Sequence, residues 1–384
     1  MATDDGLRVS TLELFFDLGF VFTLTQLTSR LAHDISGESI VRVALVFIVL
    51  FWMYGGYVWL TNQVPPDRLS RRLLLILGMA AFFICALTIR DAFDGSGVAF
   101  GVGYLLVIVV HTAMWTQVYG VSVAARFAPL NVLAALLLVA AGLVDGPGVY
   151  ALWSAAIAIQ FVTPRIAGRA APLFPIRARH FVERHGLLLI VALGESVVAI
   201  GIGVSGEEFD VGVVVAVTLG LALVASLWWA YFLGDEEGAE RAMVAATERE
   251  RFGLAINGYF FAYIPILLGV ITMAAGVERS VEGVGDRLDL ASALMLAVGV
   301  SLFLSGDVAF RRTMHMRPLV FRAGAALAAL GATVFGVYVA AAAEVVALVV
   351  IVVAALLAEV THRRGAVRRP PALAVQPSAA DHRS

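Results

Sequence analysis

The sequence is short of charge, and it lacks one charged residue altogether. No lysine occurs among its 384 residues, so all 27 basic side chains other than histidine are arginine. Charged residues make up 15% of the chain and hydrophobic residues 60%, whereas soluble domains carry roughly a quarter charged residues. The net charge is only -2. These figures exclude an ordinary soluble protein and give no reason to expect a nucleic-acid partner. They predict an integral membrane protein whose partner is the lipid bilayer.

Other absences narrow the chemistry. The single cysteine, Cys85, lies in an apolar run, and one cysteine excludes a disulfide within the chain. The sequence contains no phosphate-binding loop, no Gly-x-Ser-x-Gly motif and no HExxH motif. No cleavable signal peptide is predicted, because the first apolar run already carries Glu13 and Asp17. We therefore predict no cofactor and no metal site.

Apolar runs of about twenty residues predict the fold class, an all-α polytopic membrane protein. The longest run, residues 323–358, contains one charge, Glu344. At ~1.5 Å per residue it would extend roughly 54 Å, too long for one crossing, so we divide it into two helices with Glu344 near the turn. This gives twelve spans: 12–32, 40–61, 73–89, 98–119, 127–144, 149–163, 186–203, 211–232, 252–276, 288–305 and two within 323–358.

The arginines predict the orientation of these spans. If the N-terminus is cytoplasmic, 22 of the 27 arginines fall on the cytoplasmic side and five on the other. Positive residues favour cytoplasmic loops, and a missed span would reverse every loop after it. Twelve spans with both termini in the cytoplasm therefore fit the distribution of arginine.

The two halves of the chain resemble one another. An offset of 170 residues places Thr25 and Gln26 over Glu195 and Ser196, and both second spans carry an aromatic cluster. Six spans per copy predict two six-helix repeats of the same orientation, related by an axis along the membrane normal. The predicted organisation is residues 1–163 for the first half, 164–184 for a basic cytoplasmic linker, 185–362 for the second half and 363–384 for a disordered cytoplasmic tail.

Glu195 is the most conspicuous candidate for function, because it is the one charge between Gly186 and Gly203. A carboxyl at the centre of a bilayer must be neutral, paired or close to water. One interpretation is a site that binds a proton or cation between the two halves. The other is a neutral acid that hydrogen-bonds Gln26 or Gln160. Ser196, the next residue, is a binding candidate beside it.

Further ionisable residues have competing interpretations. Asp17 lies four residues after Glu13 on the same helix face. It either binds a cation, accepts a hydrogen bond from an arginine of the loop that contains Arg68 to Arg72, or is an interfacial acid paired with an arginine that locks the first helix. His111, near the middle of the fourth span, either relays protons or makes an interhelical hydrogen bond. Asp307 is expected to pair with Arg311, four residues on.

Several motifs resemble a known family. The residues Leu12-Glu13-Leu14-Phe15-Phe16-Asp17-Leu18 and Leu193-Gly194-Glu195-Ser196 resemble two signatures of the bacterial low temperature requirement protein A family, and Trp228-Trp229-Ala230-Tyr231-Phe232 resembles a third. The resemblance covers roughly residues 10–320. It implies a protein of the bacterial cytoplasmic (inner) membrane, and it points to Glu13, Phe16, Asp17, Gly194, Glu195 and Ser196. One departure is Leu233, where many members have Asp.

Three functional hypotheses follow. The first is a transporter or channel for an unknown small solute or ion, with Glu195 as a protonatable group near the midplane. The second is a membrane enzyme for a lipid or lipid-linked substrate, with Glu195, His111 or Asp17 as acid and base. The third is a non-catalytic membrane component required in the cold. The enzyme is the less favoured of the first two, and assembly as a homo-oligomer stays open.

Overall fold

The computed structural model describes residues 9–95, 97–167, 175–205 and 208–367, and over these ranges it contains helices and no strand. The helices are α1 Thr11–His33, α2 Gly37–Gln63, α3 Leu69–Leu87, α4 Gly97–Tyr119, α5 Val121–Ala141, α6 Pro147–Ala167, α7 Ala178–Gly203, α8 Val211–Phe232, α9 Asp235–Ala245, α10 Glu248–Leu254, α11 Tyr263–Val281, α12 Leu290–Thr313, α13 Val320–Gly331, α14 Thr333–Tyr338 and α15 Ala341–Val367. The predicted all-helical class is confirmed.

Ten helical segments in the described ranges are long and apolar enough to cross a membrane. The other two predicted spans fall on α1, which contains Glu13, Asp17 and Arg30, and on the shorter apolar segment Pro147–Thr163 of α6. Helices α6 and α7 both extend into the range predicted as linker, and α15 continues four residues beyond Arg363 into the predicted tail. Residues 368–384 of that tail lie outside the described chain.

The long apolar run near the C-terminus is broken, as its length requires. Helix α14 ends at Tyr338 and α15 begins at Ala341. The amides of Ala341 and Ala342 donate to the carbonyls of Asp286 and Val284, at 2.8 and 3.0 Å. The loop before α12 therefore provides hydrogen-bond acceptors for the first backbone amides of α15. Glu344 lies in the first turn of α15, close to the predicted turn.

Helices α11 and α12 pack closely because each presents glycine to the other. A Cβ atom on Gly269 would lie 2.5 Å from the backbone nitrogen of Phe303, and one on Gly299 would lie 2.4 Å from that of Met273. Small residues allow helix backbones to approach in a membrane protein, where tight packing replaces much of the hydrophobic driving force. This helix pair forms the centre of the second half.

One continuous helix changes its geometry. Between α10 and α11, residues Ala255–Ala262 form a π-helix. This form is rare overall, and where it occurs it is often part of a functional site. The wider turn directs Phe260 towards α2, where its ring occupies the space that a side chain on Gly55 would need. It also places Tyr259 in the interior, with no exposed surface.

Candidate functional site

The acids at the start of α1 meet an arginine of α7. Arg184 donates from Nη1 to Glu13 Oε1 and from Nη2 to Asp17 Oδ1, both at 2.8 Å. The three side chains are at most 4% exposed. The sequence separation is 167 to 171 residues, so this pairing joins two helices that are distant in the chain. Glu13, Asp17, Arg184 and the neighbouring His180 are called the first ion cluster below.

Local structure positions these groups. Glu13 also completes a capping box at the start of α1, because its carboxylate accepts from the Ser10 amide at 2.9 Å. That box fixes the first turn of the helix. From α2, the Tyr54 hydroxyl donates to Asp17 Oδ1 at 3.0 Å, and the Thr61 hydroxyl accepts from Arg184.

Asp17 pairs with an arginine, as one interpretation expected, but the loop suggested as the source of that arginine was wrong. The arginine that binds Asp17 is Arg184 of α7, not one of the arginines between Arg68 and Arg72. His180 Nε2 lies 3.4 Å from Glu13 Oε2. The Nδ1 atom of the same histidine lies 3.2 Å from Asn62 Nδ2. Two carboxylates thus face one arginine, and His180 is the remaining group that can supply positive charge.

Glu195 lies eleven residues beyond Arg184 on α7, roughly 16 Å along the helix axis. It is half-buried, and the side chain of Thr25 of α1 lies near its carboxyl, while the Thr25 hydroxyl donates to the Val21 carbonyl at 3.4 Å. Glu195 and Asp17 therefore occupy separate places along the contact between α1 and α7. That separation weighs against an acid and base pair built from these two residues, since such work needs contact distances.

The two residues predicted as neighbours of Glu195 differ in burial. Ser196 is fully buried, and its hydroxyl has no hydrogen-bond partner among the described residues. Gln26 is half-buried on α1, next to Thr25. Gln160, the other suggested partner of Glu195, instead donates to the Tyr104 hydroxyl at 2.5 Å.

His111 lines a cavity rather than meeting the acids. Its Nε2 accepts from the indole Nε1 of Trp115 at 2.9 Å, and its ring lies 5.1 Å from that of Tyr57. The cavity has a volume of about 110 Å³. Its walls come from α2, α4, α5, α6, α10 and the π-helix, and six of its lining residues are aromatic: Trp52, Trp59, Trp115, Phe127, Phe252 and Phe260.

A second group of buried charges lies in the C-terminal half. Arg322 donates to Asp307 Oδ2 at 2.8 Å and to Glu359 Oε2 at 3.0 Å. Arg311 binds both carboxylate oxygens of Glu359, at 2.8 and 2.6 Å. Asp235 lies 3.7 Å from Arg322. These five residues form the second ion cluster.

The expected pair between Asp307 and Arg311 was therefore wrong. Both side chains are fully buried, and a buried arginine is best satisfied by a bidentate carboxylate. Glu359 of α15 provides that carboxylate, which leaves Asp307 to Arg322 of α13. The i, i+4 spacing indicates partners on the same helix, so it could not reveal these partners on other helices.

Tyrosine and histidine fill the space beside the second ion cluster. The hydroxyls of Tyr231 and Tyr263 hydrogen-bond one another, and the rings of Tyr259 and His185 lie 4.5 Å apart. All four side chains are at most 1% exposed. Aromatic packing therefore connects α7 and α8 with the π-helix and α11. Within the described residues, no group of three or more His, Cys, Asp or Glu side chains is arranged to hold a metal ion.

The sequence analysis missed two of these arginines as partners. Arg184 and Arg322 were assigned to cytoplasmic segments, yet they lie in helices and are at most 2% exposed. A signal was available: each acid placed inside an apolar helix requires a cation nearby, and these arginines stand at the ends of neighbouring apolar runs.

Comparison with known proteins gives two matches. The model of the family described as bacterial low temperature requirement A protein (LtrA) matches residues 8–357. Uncharacterized protein RA0937 of Rhizobium meliloti (strain 1021) is 26% identical over 323 residues, which is 80% of this chain and 78% of that protein. No solved structure matches the chain.

Proposed function

The chain belongs to the bacterial low temperature requirement A protein family, and from this premise we propose that it is a transporter for a small solute or ion. In this proposal it has twelve spans in the cytoplasmic membrane, with both termini in the cytoplasm. Two six-helix halves of the same orientation meet along α1 and α7. Glu195 is the group that binds a proton or cation at their junction.

The observation that carries the proposal is the recurrence of the same helix neighbours in both halves. Helix α1 packs on α2 and α3, as α7 packs on α8 and α11. Helix α3 packs on α4 and α4 on α5, as α11 packs on α12 and α12 on α13. The α5–α6 and α2–α6 contacts correspond to those of α13–α15 and α8–α15. Such correspondence supports a repeat around an axis between α1 and α7.

Thr25 and Glu195 support the position of that axis. They are equivalent residues at the offset of 170, and their side chains lie beside one another. Equivalent residues on two helices approach one another only near the axis that relates them. In transporters built from repeats, the substrate and coupling ion bind near the midplane at the repeat interface.

The proposal requires water to reach Glu195, and cysteine labelling tests this without a known substrate. The chain offers a simple background, because Cys85 is its one cysteine and can be replaced in Cys85→Ala. We expect Thr25→Cys in this background to react with a membrane-impermeant maleimide. The control is Val109→Cys on α4, whose native side chain is 51% exposed on an apolar surface and should stay unlabelled in lipid.

Two results would overturn the transport proposal. One is that Thr25→Cys reacts no faster than Val109→Cys from either side of the membrane. The other is that it escapes the maleimide and forms a covalent dimer on oxidation, since Glu195 would then lie in a contact between two copies of the chain. Reaction from one side or from both supports the proposal, and the reactive side identifies the open end of the site.

A further inference from the structure

The cavity beside His111 is a second site, and the inference from it does not depend on transport. The lining residues include no charged side chain. A charged ligand would lose its hydration there without compensation. The cavity therefore favours an uncharged ligand.

One polar atom in the wall lacks a partner. Asn131 is 7% exposed, and its Oδ1 has no hydrogen-bond partner among the described residues. The other polar groups of the wall include two that are already bonded: the Thr163 hydroxyl donates to the Ile159 carbonyl at 3.0 Å, and His111 Nε2 accepts from Trp115. A buried acceptor without a donor costs free energy. A ligand that donates a hydrogen bond to Asn131 would remove that cost.

Two of the walls contain irregular backbone. On α5, Pro129 lies between the lining residues Ala128 and Asn131, and it has no amide proton to donate to the carbonyl one turn earlier. On another side, the π-helix supplies Ile256 and Phe260, and π-helical turns are frequent at functional sites.

Size and lining identify the shape of the ligand. An apolar cavity of about 150 Å³ holds a benzene molecule, so 110 Å³ suits one small ring with little substitution. Six aromatic side chains line the space, and aromatic rings pack on one another by stacking or edge contacts. Part of the rim, at Trp52, Thr112 and Phe127, is half-buried at the outer surface, which gives entry from the bilayer.

We propose that this cavity binds a membrane-soluble, uncharged aromatic ring that carries a hydroxyl group, and that the hydroxyl donates to Asn131 Oδ1. The proposal concerns binding alone. The hydroxyl provides selectivity, because an apolar ring of the same size leaves the Asn131 acceptor unsatisfied.

The test compares two probes that differ in one hydroxyl, phenol and benzene. Binding to the full chain in nanodiscs is followed by tryptophan fluorescence, because Trp52, Trp59 and Trp115 line the cavity and are half of the six tryptophans. At equal free concentration we expect the phenol to bind ~5-fold more tightly, the factor for one net hydrogen bond of about 1 kcal/mol. Equal binding of the two probes by the wild-type chain would overturn the proposal, whatever the variants do.

Variants then assign the site. Asn131→Leu should abolish the preference for phenol while benzene still binds, and retention of the preference would overturn the role of Asn131. Ala124→Phe, which places a ring in the cavity, should abolish binding of both probes, and wild-type binding by this variant would overturn the location. The control is Leu133→Ala on the outer face of α5, 46% exposed, which should bind both probes as the wild type does.

Discussion

The two ion clusters resemble each other in chemistry and differ in what they connect. The first joins α1 to α7, helices that are distant in the sequence. The second joins α12, α13 and α15, which follow one another near the C-terminus, through Arg311, Arg322 and Glu359. The first cluster therefore connects distant parts of the chain, whereas the second stabilises the packing of neighbouring helices.

Their charge balance differs as well. The first cluster has two acids, one arginine and His180. The second has three acids and two fully buried arginines, with Arg363 reaching Glu359 from the surface. No histidine takes part in its ion pairs among the described residues. A buried carboxylate without a matching cation is costly. The three acids of the second cluster face three arginines once Arg363 is counted, whereas the first cluster has two acids for one arginine.

Arg322→Met should cause the greatest loss of stability. Arg322 is the arginine that reaches all three acids of the second cluster, and removal of one partner from a buried ion pair costs about 3–5 kcal/mol. Thermal unfolding in detergent measures the change. Arg312→Met, exposed at the end of α12, is the control and should lie within about 0.5 kcal/mol of wild type. Equal effects for the two variants would contradict the prediction.

Arg184→Met should cost slightly less, about 3 kcal/mol, because His180 remains near Glu13. The helices that lose protection from hydrogen exchange should also differ from those affected by Arg322→Met. Hydrogen exchange is expected to rise in α1 and in the first turns of α7, with α13 and α15 unchanged, since the first cluster joins α1 to α7. Adding Glu13→Gln and Asp17→Asn should recover part of the loss. Uniform exchange throughout the chain, or no recovery, would refute the assigned role.

Tyr54→Phe should reduce stability by about 2 kcal/mol, the range for a hydrogen bond to a charged group. The matched control is Tyr57→Phe, one turn along α2. Its hydroxyl donates at 2.9 Å to the neutral carbonyl of Val107, so its loss should cost about 1 kcal/mol. Unfolding midpoints of the two variants provide the measurement. A smaller effect for Tyr54 than for Tyr57 would argue that Asp17 is uncharged.

Asp307→Asn should have the smallest effect, under about 1 kcal/mol, because an amide oxygen still accepts from Arg322 and Arg322 keeps its contacts with Asp235 and Glu359. Glu359→Gln should cost more, since Glu359 binds Arg311 with both oxygens. Comparison of the two unfolding free energies tests whether Glu359 is the more strongly bound acid of the second cluster. Similar costs for both variants would contradict that ranking.

Sequence patterns predicted the helices well because membrane thickness limits their length. The break in the run from 323 to 358 follows from length alone, and the structure breaks it between Tyr338 and Ala341. Glu13, Asp17 and Glu195 were recognisable as unusual for a similar reason: an acid stands out in an apolar helix. The family resemblance of these segments is confirmed by a match over residues 8–357.

Partners were less predictable because they come from distant parts of the chain. Arg184 lies 167 residues from Asp17, and Glu359 lies 48 residues from Arg311. A helical pattern gives the face of a residue on its own helix but not the helix opposite. The cavity was also missed, since its walls depend on a π-helix and on Pro129, which hydrophobic periodicity does not reveal.

The most direct test of the account is whether the carboxyl of Glu195 exchanges its proton with water. Infrared difference spectra of wild type against Glu195→Gln, recorded in H₂O and then in D₂O, isolate the carboxyl band of this residue. The transport proposal predicts that the band shifts soon after the change of solvent, because the site between α1 and α7 opens to water. A band that stays unshifted in D₂O would show a sealed acid and contradict the proposal.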